Sequence, residues 1–361
     1  MQQHQPPPPF SSTYSPNLPE LLQQLSCSIA LTTFQAGKVV FISAKDQESL
    51  VILPRTFNKA MGLALHKEKM AVATKNEVIL LANSPQLAKT YPYKSNTYDA
   101  LFMPRATYNT GQVDIHDLHF GKGGLWAVNT SFSCLCTIDA HYSFIPKWKP
   151  HFITQLASED RCHLNGLAMI DGQPRFVSAL GQGNTQQQWR KNITKGGILM
   201  DVESNEIALQ GLAMPHSPRW WNRKLYLLLS AAEALVCADL QAGTYEIVAK
   251  IPGFVRGMAK IGDYVFVATS KLRKNSSTFK HLTIAEKADK AGLTVIHLPT
   301  GATVASFDWR SSVDEIYDVQ ILPNILRPNI LNTYQERHHQ ALMVPGNTFW
   351  AMPNKELRRG N

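Results

Sequence analysis

The chain has 361 residues, 44% of them hydrophobic, and a formal charge of +9 at pH 7, so it is long enough to bury a large core. Its 21 glycines and 21 prolines are spread along the whole length, which favours many short elements joined by turns. No window approaches the roughly 20 apolar residues of a membrane span, and the N-terminus lacks the basic start and apolar stretch of a signal peptide. We therefore expect a cytoplasmic protein without a membrane partner.

The charged residues and cysteines exclude two further classes. Basic residues are scattered, apart from KLRK at 271–274 and ELRR at 356–359, and no nucleic-acid-binding motif accompanies either cluster. The five cysteines have no CxxC spacing, which argues against a disulfide framework and against a structural zinc site. Nucleic acid is accordingly an unlikely partner.

The chain divides into three parts. Residues 1–25 are rich in Gln and Pro without apolar periodicity, which predicts an extended or disordered lead-in. Residues 26–355 are predicted as one domain, because short β-rich runs recur about every ten residues between turn signals. Residues 356–361 form a basic tail.

A repeat of eight residues runs through the domain. Its fourth position is small or turn-friendly and its fifth is apolar in nearly every copy. The six copies are KAMGLALH at 59–66, DIHDLHFG at 114–121, HLNGLAMI at 163–170, MPHSPRWW at 214–221, FVRGMAKI at 254–261 and EIYDVQIL at 315–322.

Each copy is followed by a turn, a strong strand and further strands, as in KLYLLLSA and LVCADL after MPHSPRWW. This order predicts an all-β fold, a six-bladed β-propeller of four-stranded antiparallel blades. Pairing of N- and C-terminal strands, at 38–43 and 348–353, is expected to close the ring. A pair of β-sandwiches is the alternative.

In a propeller the first strand of each blade lines the central channel, so equivalent positions of the repeat meet around one axis. The first and third positions of the repeat share a strand face and carry most of the polar side chains. The sequence therefore predicts a polar site at one channel mouth, containing Lys59, Asp114, His116, His163, Asn165, His216, Arg256, Glu315 and Tyr317.

Two chemistries suit this set, and the residues leave the choice open. Imidazoles with one carboxylate suit zinc, manganese or iron, with His116, His163, His216 and Glu315 as ligands. Alternatively an imidazole acts as acid or base beside a cation that binds a substrate carboxylate or phosphate. The predicted catalytic residues are then His116, His216, Arg256 and Tyr317, and the predicted substrate contacts are Asn165, Arg256, Asp114 and Lys59.

Two other features have alternative interpretations. The insertion GQGNTQQQWRKN at 181–192 is either a lid over the channel or a plain surface loop. His119 and Arg219, at the sixth position of the repeat, are either a second layer of the site or hydrogen-bonded packing.

The segments RGMAKIGDYVFVATSKLR, EIYDVQILP and MPHSPRWWNRKLYLL resemble an uncharacterised bacterial family, a domain of unknown function, over about residues 25–355. That resemblance implies a propeller and brings no established activity. The Gly-Leu-Ala inner strands are more distantly similar to those of the gluconolactonase, strictosidine synthase and virginiamycin lyase propellers. Those proteins place a metal or a catalytic residue in the channel, but the Glu-Asn-Asn-Asp metal pattern of the lactonases is missing from this sequence.

Two functions are therefore expected as alternatives. The first is a hydrolase or lyase, metal-dependent or not, with a small molecule or peptide in the channel mouth. The second is a non-catalytic scaffold whose rim and Pro-rich N-terminus bind a partner protein.

Overall fold

The computed structural model describes residues 7–272, 279 and 282–351, which form six antiparallel sheets arranged as the blades of a β-propeller. We number the blades I to VI and give strands from the channel outward. Blade I contains Val319–Pro323, Cys27–Thr33, Lys38–Ala44 and Leu50–Thr56. Blade II contains Leu63–His66, Lys69–Ala73, Glu77–Asn83 and Ala100–Asn109. Blade III contains Ile115–Gly121, Gly124–Asn129, Cys134–Thr137 and Ile145–Trp148.

The remaining three blades follow the same order along the chain. Blade IV contains Leu164–Ile170, Gln173–Ala179, Gly197–Asp201 and Ile207–Leu212. Blade V contains Pro215–Trp221, Lys224–Leu229, Ala234–Asp239 and Thr244–Lys250. Blade VI contains Phe254–Ile261, Tyr264–Ser270, Gly292–His297 and Ala302–Trp309. Every inner strand lies within or directly beside a predicted repeat, and neighbouring inner strands contact each other around the whole ring.

Short elements decorate the blades. Ser12–Tyr14 adds an outer strand to blade VI, Pro328–Ile330 adds a parallel one to blade II, and Ala341–Val344 forms a hairpin with Asn347–Trp350. The helices are Leu18–Gln24, Pro85–Lys89, Ile284–Lys287 and Arg337–Gln340, with 3-10 turns at Gln188–Asn192 and Ser230–Ala232. Within the described ranges, no helix has the length and apolar character needed to span a membrane.

N- and C-terminal strands close the ring, as predicted, but the predicted pair was wrong. Cys27–Thr33 pairs with Val319–Pro323, with Ile29 opposite Ile321. Segment 38–43 lies one strand further out, and the hairpin at 341–350 packs on the helix of blade II. The reason is that the sixth repeat itself forms the inner strand of blade I. The N-terminal part of the chain must therefore supply the other three strands of that blade.

The lead-in also differs from the extended or disordered segment that its composition predicts. Besides the strand Ser12–Tyr14, it contains the helix Leu18–Gln24, whose Leu18 and Leu22 are buried in a core shared with blades I and VI. A proline in the first turn suits the start of a helix, where its missing N–H is not needed. The predicted basic tail at 356–361 lies outside the described residues.

Apolar side chains hold neighbouring blades together. Strand Lys38–Ala44 is buried on both faces because blades cover it on both sides. Phe41 packs toward blade II, where its ring centroid lies 6.1 Å from that of Phe102, and Ile42 packs toward Phe307 of blade VI. Burial of one such side chain stabilises the fold by roughly 1.5–3 kcal/mol.

The fourth position of the repeat alternates around the ring. Blades II, IV and VI have glycine there, whereas blades I, III and V have an oxygen-bearing side chain that accepts a hydrogen bond from the next blade's backbone. The three bonds are Leu63 N to Asp318 Oδ2 at 3.0 Å, Leu167 N to Asp117 Oδ2 at 3.0 Å and Gly257 N to Ser217 Oγ at 3.1 Å. A Cβ on Gly166 would lie 2.5 Å from Pro218 Cδ, so glycine is required for these strands to approach.

A buried ion pair crosses the channel below this level. Arg219 Nη1 lies 2.8 Å from Asp117 Oδ2, and Arg219 Nη2 lies 3.7 Å from Asp318 Oδ1. His119 Nε2 lies 3.2 Å from Asp117 Oδ1. Arg219, Asp117 and Asp318 therefore form a buried ionic layer against which His119 packs, and the cavities at the two ends of the channel share no lining residue.

Candidate functional site

The channel mouth at the start of the inner strands holds a cavity of about 200 Å³. Seven of the nine predicted site residues line it: Asp114, His116, His163, His216, Arg256, Glu315 and Tyr317. Phe34, Met214 and Phe254 supply part of its apolar wall. The structure thus brings most of the predicted set together, while the roles assigned to those residues stay predictions.

Two predicted residues lie outside the cavity lining. Asn165 is buried on the inner strand of blade IV, and its Nδ2 has no hydrogen-bond partner among the residues described. The ammonium of Lys59 lies 5.0 Å from the ring centroid of Phe34, which does line the cavity.

A recurrent backbone turn presents the side chains at the mouth. The first residue of the repeat has a left-handed backbone in four consecutive blades, with φ of 50° at Lys59, 54° at Asp114, 51° at His163 and 56° at Met214. This conformation is uncommon outside glycine and is found at functional sites. In blades III and V it brings the carbonyl of the first residue onto the imidazole of the third, 3.2 Å from His116 Nδ1 in blade III and 3.0 Å from the equivalent nitrogen in blade V.

The tautomer of His116 follows from its partners. Its Nδ1 lies 3.2 Å from the carbonyl of Asp114 and 2.8 Å from Thr130 Oγ1, and that hydroxyl donates to the carbonyl of Leu164 at 2.6 Å. A carbonyl only accepts, and the single hydroxyl proton is already committed. Nδ1 therefore carries the ring proton, and Nε2 keeps a lone pair.

His216 repeats this arrangement in blade V. Its Nδ1 lies 3.0 Å from the carbonyl of Met214 and 2.7 Å from Ser230 Oγ, which donates to the carbonyl of Val255 at 2.6 Å. The same reasoning gives a protonated Nδ1 and an Nε2 with a lone pair. The hydroxyls that join one blade to the next thus also fix both imidazoles.

Both rings are neutral at pH 7. Burial lowers the pKa of His116 well below its ordinary value, and the nearby His163 and Arg256 lower it further. Burial also lowers the pKa of His216 well below that value, again with Arg256 adding to the effect. Each ring is therefore a hydrogen-bond acceptor or a base, and not a cation.

His163 has a carboxylate partner. Its Nδ1 lies 3.0 Å and 3.1 Å from the two carboxylate oxygens of Asp160, and Trp189 Nε1 donates to the same carboxylate at 3.0 Å. The ring centroid of His163 lies 4.4 Å from that of Trp189 and 4.8 Å from that of His116. This is an Asp–His pair of the kind that orients an imidazole.

Sequence reasoning missed Asp160, and it left the insertion at 181–192 as either a lid over the channel or a plain surface loop. Asp160 lies three residues before the third repeat, outside the positions compared. The insertion forms a 3-10 turn, Gln188–Asn192, that buries Trp189 against His163. The insertion therefore forms a wall of the site at Trp189. For the rest of the insertion, the lid and the plain surface loop both stay predictions.

Arg256 is one of two cationic side chains that line the mouth, with Lys271. Its Nη1 lies 3.1 Å from Glu315 Oε1, and its Cζ lies 3.5 Å from the ring centroid of Tyr317, a cation–π contact. Tyr317 is buried, its hydroxyl has no hydrogen-bond partner among the described side chains and backbone, and burial raises its pKa well above the ordinary value. Tyr317 is therefore a protonated donor beside a guanidinium.

Asp114 completes the polar lining. Burial raises the pKa of its carboxyl, while the nearby His163, Arg256 and Lys59 favour the ionised form.

The predicted metal centre depends on whether its four ligands converge on one point. In the described part of the chain, no three His, Cys, Asp or Glu side chains are placed to share an ion. Glu315 instead pairs with Arg256. The zinc, manganese or iron centre stays a prediction, and no step proposed below passes through a metal.

Comparison with solved structures finds chains to which this one is similar. A chain of a nidogen/laminin complex aligns with a TM-score of 0.51 at 8% identity, covering 82% of this chain and 99% of that one. Streptogramin B lyase aligns with a TM-score of 0.40 at 10% identity, covering 78% and 76%. The WD40 domain of Pan2 from Neurospora crassa aligns at 0.38 and 10%, covering 68% and 64%. At 8% identity the likeness to the first of these chains concerns the fold alone.

The sequence comparisons give a family without an assigned activity. No curated protein matches the chain. A family described as "Domain of unknown function (DUF4915)" matches residues 16–331, which include all six inner strands. This is the family to which the chain belongs.

Proposed function

We propose that the protein is an enzyme that performs acid–base chemistry, of hydrolase or lyase type, on a small anionic molecule in the channel mouth. One observation carries the proposal. Three imidazoles line one cavity beside Arg256, and the protein binds each of them through Nδ1, which leaves the three Nε2 atoms for a ligand.

His163 is the proposed acid–base residue. It is less buried than the other two histidines, with 16% of its side chain exposed, and the Asp160 carboxylate stabilises the imidazolium that proton transfer creates. Its Nε2 takes a proton from water or from the substrate and returns it to the leaving group. This assignment differs from the sequence prediction, which placed catalysis on His116 and His216 and used His163 as a ligand.

His116 and His216 are the proposed substrate-positioning groups. Their fixed neutral tautomers accept hydrogen bonds from substrate hydroxyl or amino groups at Nε2. Arg256 is the proposed partner for a carboxylate or phosphate, because its contact with Glu315 uses Nη1 and leaves other N–H donors of the guanidinium.

The test is a screen of small carboxylates and phosphate esters, in which ligand-induced shifts of the melting temperature find binders and proton NMR finds turnover. The informative variant is His163→Asn, whose amide nitrogen still reaches Asp160 but which has no atom at the Nε2 position. We expect His163→Asn to bind the compound that the screen identifies and to turn it over about 100-fold or more slowly than the wild type. His141→Asn, an exposed histidine in a turn, is the matched control and should match the wild type.

Two results would overturn the proposal. One is a wild-type protein that binds none of the anionic compounds at the mouth. The other is a hit whose turnover by His163→Asn equals that of the wild type.

A protein-interaction scaffold is the second candidate, and one surface favours it. In the hairpin at 341–350, Leu342 lies opposite Phe349, and they are 43% and 48% exposed. Exposed apolar pairs of this kind are common at interaction surfaces. If a second copy of the chain covers this hairpin, light scattering should show a dimer for the wild type and a monomer for Leu342→Ser/Phe349→Ser, whereas a wild-type monomer contradicts it.

A further inference from the structure

The mouth cavity continues into a second one of about 400 Å³. Asp114, His163 and Phe279 line both, so His163 lies at the junction of the two cavities. At roughly 30 Å³ per water molecule, the second cavity has room for about thirteen waters, enough for a sugar ring with its hydroxyl groups.

The two cavities differ in chemistry. The first has a cation and a buried tyrosine, Arg256 and Tyr317. The second is lined by the hydroxyl and amide side chains of Ser131, Ser158, Gln186 and Gln187, together with the carboxylates of Asp114, Glu159 and Asp160 and the guanidinium of Arg190. All of these groups form hydrogen bonds with hydroxyl groups, so the first cavity suits a carboxylate and the second suits a polyhydroxylated group.

We propose that the substrate is an acidic oligosaccharide whose uronate unit binds beside Arg256 and whose next sugar occupies the second cavity. The reaction is then a β-elimination. This inference rests on the proposed function and selects its lyase form, because the junction histidine lies between the uronate and the leaving sugar.

The elimination balances without any added reagent. His163 Nε2 removes the proton from the carbon next to the carboxylate, and the electron pair of that C–H bond forms a C=C bond. The C–O bond to the neighbouring sugar breaks, and its oxygen takes a proton from the imidazolium or from the Tyr317 hydroxyl. The guanidinium of Arg256 neutralises the carboxylate, which stabilises the charge that develops on the carbon. The products are an unsaturated uronate and a sugar with a free hydroxyl.

The experiment measures the ultraviolet absorbance of unsaturated uronate when the full chain is mixed with tetrasaccharides of hyaluronan, chondroitin or pectate. Neutral chitotetraose, which has no carboxylate, is the control substrate. The variant Ser158→Trp fills the second cavity from an exposed position, and Ser95→Trp, at an exposed serine that lines neither cavity, is its control. We expect elimination of at least one acidic tetrasaccharide, a loss of about tenfold or more in Ser158→Trp, and a change of less than about twofold in Ser95→Trp.

The outcomes separate this inference from the proposed function. No unsaturated product from any of the three acidic tetrasaccharides overturns the inference, and so does elimination that Ser158→Trp leaves unchanged. Loss of turnover in His163→Asn on another anionic compound then leaves the proposed function in place. Elimination that persists in His163→Asn contradicts the proposed function itself.

Discussion

Removal of the Arg219 guanidinium should strongly destabilise the fold. Arg219 is buried, and it is the counterion of Asp117 and, more distantly, of Asp318. Burial alone would raise the pKa of Asp117, but Arg219 and His119 outweigh it and hold that pKa below its ordinary value. In Arg219→Met the charge of Asp117 remains buried without its cation, which costs about 3–5 kcal/mol of unfolding free energy.

Urea denaturation followed by tryptophan fluorescence measures this loss. The matched control is Arg175→Met, which breaks the pair of Arg175 with Asp201. It is a suitable control because the Arg175 side chain is 34% exposed. Exposed pairs contribute about 0–1 kcal/mol, so the control should lose little.

A triple variant separates charge from shape. Asp117→Asn/Arg219→Met/Asp318→Asn removes all three charges while an amide oxygen remains at each acidic position. It should regain a large part of the stability lost in Arg219→Met. Equal, small losses in Arg219→Met and Arg175→Met would refute the reasoning.

Three further predictions use other buried groups. Burial and the charge of Asp117 raise the pKa of Asp318 from 3.8 to about 6, so its contribution to stability is fully present below about pH 4 and is lost as the pH rises through about 6. The unfolding free energy of the wild type relative to Asp318→Asn should therefore fall across that window, and a pH-independent difference would contradict this. Nitrogen-15 NMR at pH 6 should find His116 and His216 neutral, with the ring proton on Nδ1, because burial lowers the pKa of both. Imidazolium signals for these two residues at that pH would contradict this. Of the five cysteines only Cys237 is not fully buried, so a thiol reagent should modify at most one site in the native protein, and Cys237→Ala should abolish that reaction.

The ring of inner strands was predictable because it depends on a pattern of residue types. A glycine or a short polar residue must lie where six strands crowd the axis, and that constraint marks Gly166 and its five equivalents in the sequence. The alternation of glycine with Asp or Ser was also visible in the repeats. Its meaning became clear only from the hydrogen bonds that Asp117, Ser217 and Asp318 accept from the next blade.

The closing strands were not predictable in the same way. Residues 348–353 have the composition of a strand, but composition does not say which edge a strand meets. The sixth repeat supplies the inner strand of blade I, and that strand, Val319–Pro323, pairs with Cys27–Thr33.

The tautomers of the channel-mouth histidines could not be predicted from the sequence, for a physical reason. Position in the repeat indicates that His116 and His216 reach the mouth, but it does not indicate which ring nitrogen faces it. The hydroxyls of Thr130 and Ser230 decide that, and each residue directly follows the second strand of its blade. A small hydroxyl residue after that strand was the signal in the sequence that could have revealed both partners.

The most direct test of the account is the response of the histidine nitrogens to a bound ligand. Long-range proton–nitrogen spectra of histidine-labelled protein report Nδ1 and Nε2 separately, with and without an anionic compound that raises the melting temperature. The account predicts that the Nε2 signals of His116, His163 and His216 move and that those of the other histidines do not. Unchanged signals at all three, or shifts confined to histidines outside the channel mouth, would contradict it.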